Sequence, residues 1–136
     1  MQRMLPLAML VLVLWVPSMW AAEPPASIDE IEKNLAERKA MLVDVREGRE
    51  TAEGYVVGAV LVPLSLLEQG VQAEGFAQVL EQKLPKERVL YCYDRLGPRT
   101  STAAGLFAKL GYEAIPLKLS YQDLVAEGFV TAKPKQ

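Results

Sequence analysis

The chain of 136 residues contains no histidine and a single cysteine, Cys92. The first absence excludes Cys-His catalysis, so any activation of this sulfur must come from backbone N–H groups, a helix N-terminus or arginine charge. The second excludes an internal disulfide, so the fold rests on its core alone. There is no excess of basic residues: 15 Lys and Arg face 17 Asp and Glu, for a net charge of −2. With no basic stripe either, nucleic acid is not an expected partner. Internal repeats and low-complexity segments are also missing.

What is present begins with an apolar N-terminus. Met1 to Trp20 holds one charge, Arg3, and Leu7 to Val16 is a continuous apolar run. That run is short for a membrane span, which needs about 20 apolar residues. Pro17 and Ser18 break it, and Ala21-Ala22 offers small residues for cleavage. A basic start, an apolar middle and a small-residue end are the layout of a secretory signal peptide. Residues 1–22 are therefore expected to be removed, leaving no stable membrane anchor and placing residues 23–136 in the periplasm or outside the cell. Their loss removes one arginine and no acid, which takes the net charge from −2 to −3. An odd thiol in such an oxidising compartment is a candidate reactive group.

Along the remaining chain, short apolar runs alternate with helical patterns. Ser27-Ile28-Asp29-Glu30 fits a capping box opening a helix to about Lys39. Met41–Val45 reads as a strand, and Val56–Val62, stopped by Pro63, as another. Ser65–Leu80 is helical, with Gly70 and Gly75 as points where it splits. Arg88–Cys92 reads as a strand and Thr100–Leu110 as a helix, with Pro98 suited to its first position and Gly111 to its stop. Ala114–Leu117 is a strand whose Pro116 suits an edge. Tyr121–Glu127 is a last helix ended by Gly128. The alternation predicts one α/β domain, with a small, mostly parallel sheet flanked by helices on both faces. Such sheets bind ligands at the carboxyl ends of their strands, where Cys92 falls.

After Cys92 comes the loop Tyr93-Asp94-Arg95-Leu96-Gly97-Pro98-Arg99. A loop wrapped over the sulfur aims N–H groups at it, and the following helix adds positive partial charge. Arg95 and Arg99 add full charges if turned inward, while Asp94 opposes a thiolate unless it faces solvent or pairs with an arginine. These features would also hold an oxyanion beside the sulfur. A lone cysteine on a strand is more often core filler. The Gly-Pro-Arg turn, more charged than a strand-to-helix connection needs, makes Cys92 the candidate nucleophile and Tyr93 to Arg99 the candidate substrate-binding loop.

Three segments, in order, resemble the rhodanese-like domain family. Leu42-Val43-Asp44-Val45-Arg46-Glu47 is similar to its first-strand motif. Glu50 to Pro63 is similar to its Gly-His-Ile-x-Gly-Ala-x-x-Ile-Pro stretch. Val89-Leu90-Tyr91-Cys92, with the following loop and Leu110-Gly111-Tyr112, is similar to its active-site strand, loop and helix. Export and small size make the chain most like the periplasmic single-domain members. The resemblance implies a three-layer α/β domain in which Cys92 takes sulfane sulfur from a small anionic donor such as thiosulfate. The resulting persulfide would pass its sulfur to a thiol or cyanide. No cofactor or metal is implied, and a monomer is expected. Asp44 and Arg46 would brace the first strand.

The chain also departs from the pattern. The family's sulfurtransferase loop is Cys-x4-Arg and that of its phosphatases Cys-x5-Arg, whereas Cys92 reaches Arg99 as Cys-x6-Arg. Tyr55 replaces the family histidine, and Leu119 to Leu124 replaces a late Gly-Gly-Trp motif. Two further readings follow from these departures: a non-catalytic binding domain on the same fold, and phosphatase or arsenate chemistry in an enlarged loop.

Overall fold

The computed structural model describes residues 24–135 apart from Ala26 and Leu96. The expected leader, residues 1–22, lies outside the described residues. Alternation of apolar side chains builds the centre. Strands β1 (Ala40–Asp44), β3 (Val60–Leu61), β4 (Val89–Tyr93) and β5 (Ala114–Pro116) form one parallel sheet in the order β3-β1-β4-β5. Because successive strand residues point to opposite faces, β1, β4 and β5 each feed two cores. Val43, Leu90 and Cys92 join Leu67, Leu80, Ala103 and Phe107 in one apolar cluster, built with helices α3 (Leu64–Gly70), α4 (Phe76–Lys83) and α5 (Pro98–Lys109). Ala40, Leu42, Tyr91 and Tyr93 join Ile31 and Leu124 in the other, built with α1 (Ile28–Ala36) and α6 (Tyr121–Ala126). Helices thus cover both faces, giving the three layers expected.

Local chemistry sets the boundaries. Ser27 caps α1 by accepting the Glu30 N–H at 3.2 Å. Ser120 and Asp123 form a reciprocal capping box at the start of α6. The long helical pattern after Pro63 splits into α3 and α4 ahead of Gly75, which takes a positive φ of 83°. Pro116 sits on the outermost strand, β5.

The stretch Val56–Val62 differs from the single strand expected. Tyr55–Val56 (β2) pairs antiparallel with Thr131–Ala132 (β6), whereas β3 pairs parallel with β1. A turn through Val57-Gly58-Ala59, with Gly58 at φ 87°, redirects the chain between the two sheets. Apolar β-branched composition cannot report that change of partner. A short helix, α2 (Gly48–Thr51), follows β1, and Glu47 and Glu50 form a capping box at its start.

Asp44 and Arg46 bind these parts together. Arg46 donates to Asp44 through Nε at 3.0 Å and through a terminal nitrogen at 2.8 Å, and also to the Gly54 carbonyl at 2.8 Å. Its guanidinium lies 4.0 Å from the centre of the Tyr121 ring, a cation–π contact with α6. Asp44 is fully buried and Arg46 is 4% exposed, so the pair braces the end of β1 as the resemblance implied.

Candidate active site

The carboxyl ends of β1 and β4 carry the loop from Tyr93 to Arg99 and, beside it, a cleft of about 430 Å³. Arg46, Arg49, Arg95 and Arg99 line the cleft with Glu50 and Glu53, next to Tyr121. The sequence-predicted site residues divide between cleft, loop and core. Arg95 and Arg99 face the cleft. Gly97 and Pro98 are exposed at the start of α5. Leu96 lies outside the described residues.

Tyr93, Asp94 and Cys92 are buried. Tyr93 faces the α1–α6 core, on the opposite side of the sheet from the sulfur. Its hydroxyl accepts the Val56 N–H at 3.3 Å. The structure therefore gives Tyr93 a packing role and keeps it away from the cleft. Its hydroxyl pKa is raised, first by burial and then by the charge of Asp44.

Cys92 has no exposed surface and belongs to the α3–α5 core. Burial pushes its thiol pKa up to about 12, the opposite of an activated nucleophile. The groups expected to favour a thiolate are engaged elsewhere. Asp94 accepts the Gly97 N–H through Oδ1, and the Arg99 N–H through Oδ2 at 3.1 Å. Both donors lie at the start of α5, and Asp94 is only 1% exposed. Its carboxylate holds the very N–H groups that an anion at this helix end would use.

Arg99 is turned outward. It makes a two-pronged pair with Glu50 at 2.6 and 2.8 Å, and its Nε lies 3.7 Å from Asp94. The Arg99 guanidinium, through hydrogen bonding, holds Glu50 down to a pKa of about 2. Glu50, Arg49 and Glu53 were not singled out from sequence. Their signal was the charged capping stretch Glu47 to Glu53, which lies after the end of β1 and so at the ligand-binding end of the sheet.

Fold and site together define a small parallel α/β domain with an arginine-lined cleft beside the loop between β4 and α5. The chain belongs to the rhodanese-like domain family, whose pattern it matches over residues 27–127. It is 34% identical over 96 residues to the human thiosulfate:glutathione sulfurtransferase, spanning 68% of this chain and 84% of that one. Among solved structures, the human single-domain sulfurtransferase superposes with a TM-score of 0.60 at 28% identity, over 78% of this chain and 98% of that one. The rhodanese-like domain of an Anabaena sp. protein superposes with a TM-score of 0.63 at 22% identity, over 83% of this chain and 81% of that one, a likeness of fold. By these likenesses the chain is a sulfurtransferase-like member of the rhodanese-like domain family.

Proposed function

We propose that this domain recognises small sulfur-bearing oxyanions of the thiosulfate class at its arginine-lined cleft, and that in the folded state it does not carry sulfur on Cys92. One observation supports this above others: the Asp94 carboxylate holds the loop N–H groups while the thiol lies in the core. A thiolate must be both formed and reachable to attack, and here burial opposes both. Phosphatase or arsenate chemistry through Cys92 meets the same obstacle.

Sulfur transfer through a Cys92 persulfide is the second reading. The identity to the human thiosulfate:glutathione sulfurtransferase favours it, with thiosulfate as donor and glutathione or cyanide as acceptor. It requires a rearrangement that exposes the sulfur, which has no exposed surface in the fold. Intact mass spectrometry of the native protein after incubation with thiosulfate separates the two. The expected result is no gain of sulfur. One added sulfur per chain, absent in Cys92→Ala, would establish the second reading instead. For anion recognition, Arg49→Ala with Arg95→Ala is expected to weaken thiosulfate binding in calorimetry.

Export completes the proposal. Residues 1–22 act as a cleaved leader, and N-terminal sequencing of protein recovered from the periplasm of a bacterial host should begin near Glu23.

A further inference from the structure

The family's Cys-x4-Arg spacing puts the nucleophile five positions before the loop arginine. Counting back from Arg99 gives residue 94, and this chain carries aspartate there. Cys92 is two residues too early, within β4. The geometry agrees with the count. Asp94, and not Cys92, receives the Gly97 and Arg99 N–H groups at the start of α5. Asp94 follows directly on β4, two residues beyond Cys92, where the strand ends and the loop begins.

We propose that residue 94 is the nucleophile seat of this loop, and that Asp94 is a fixed stand-in for the thiolate the loop is shaped to hold. The carboxylate places its oxygens where the N–H groups converge at the helix N-terminus. It has no sulfur with which to form a persulfide. Cys92 is then a core side chain whose place next to the loop is incidental to chemistry. The inference rests on the family reading, since the spacing comes from the family.

Asp94→Cys restores the missing step. The introduced thiolate attacks the outer sulfur of thiosulfate, an S–S bond forms, and the donor's own S–S bond breaks with its electron pair leaving on sulfite. An acceptor thiolate then takes the terminal sulfur and regenerates the introduced thiolate. No other oxidant or reductant is needed.

The test compares Cys92→Ala/Asp94→Cys with Cys92→Ala and with the unaltered protein, after thermal melting has established which are folded. Two readouts are taken: the pH dependence of iodoacetamide alkylation, and sulfur uptake from thiosulfate by intact mass. The introduced thiol should be alkylated in the native state with a midpoint below the ordinary thiol value of about 8.5. It should also gain one sulfur per chain, while Cys92→Ala gains none. An introduced thiol that titrates at or above the ordinary value in a folded variant overturns the inference, as does sulfur uptake on Cys92 in the unaltered protein. A low-titrating thiol that takes no sulfur upholds the seat and removes the thiosulfate reading. Should the double variant not fold, Asp94→Ala serves. It should melt lower than the unaltered protein and be restored by added sulfate or thiosulfate, and a melt insensitive to those anions overturns the inference.

Discussion

Cys92 shows how residue type and residue place can point in opposite directions. Its type suggested reactivity; its place is wholly inside an apolar cluster, where burial works against a reachable thiolate. Substitution should register as a packing change. Cys92→Ala removes one sulfur from the core and is expected to cost about 1 kcal/mol. Cys92→Ser leaves a buried hydroxyl without an apolar group's ease, at a cost of about 1–3 kcal/mol. Chemical denaturation of the two variants checks the order, and a serine variant as stable as the alanine one would place water or a polar partner beside the sulfur. The same burial shields the lone thiol from oxidants in solution. The sequence disclosed the loop and its charges but not their pairing. Arg95 and Arg99 do line the cleft, whereas the fate of Asp94 depended on which N–H groups curled back to it, a matter of three-dimensional closure.

At the scale of elements, α2 and α5 are joined by the Glu50–Arg99 pair, and this link is sensitive to acid. Glu50 ordinarily titrates at 4.5 and in the fold at about 2. A carboxylate lowered on folding contributes stability that is complete above its unfolded pKa and disappears as pH falls toward its folded one. Glu50→Gln should therefore be less stable than the unaltered protein at neutral pH, with the difference shrinking between 4.5 and about 2. Denaturation midpoints measured across that range test this, and a constant difference would sink it. Helices and parallel strands were readable because capping residues, Pro98 and the glycines after α5 and α6 punctuate them. The β2–β6 ribbon was not, because two-residue strands carry no periodicity and their pairing joins positions 55 and 132, far apart in sequence.

At the scale of the whole molecule, the two sheets and α6 meet at one crowded point. Gly54 supplies its carbonyl to Arg46, and a Cβ on Gly54 would come within 2.5 Å of the Tyr121 hydroxyl oxygen. Its φ of 150° is also one that side-chain-bearing residues rarely adopt. Gly54→Ala should lower the melting temperature by several degrees, corresponding to about 1–3 kcal/mol, and should loosen the cleft that Arg46 and Tyr121 share. An unchanged melt would mean that Tyr121 swings aside freely. The fold class was readable from the alternation of elements. The assembly of this junction was not, since Asp44, Gly54 and Tyr121 converge only after the sheet has formed.

The main sheet also ends abruptly on both sides. β3 has two residues and β5 has three, one of them Pro116, which has no N–H to offer a neighbour. Neither border gives a second chain enough unpaired backbone to extend the sheet. Concentrated protein is thereby guarded against edge-to-edge aggregation, a safeguard of particular use to a domain that has no disulfide to hold it closed.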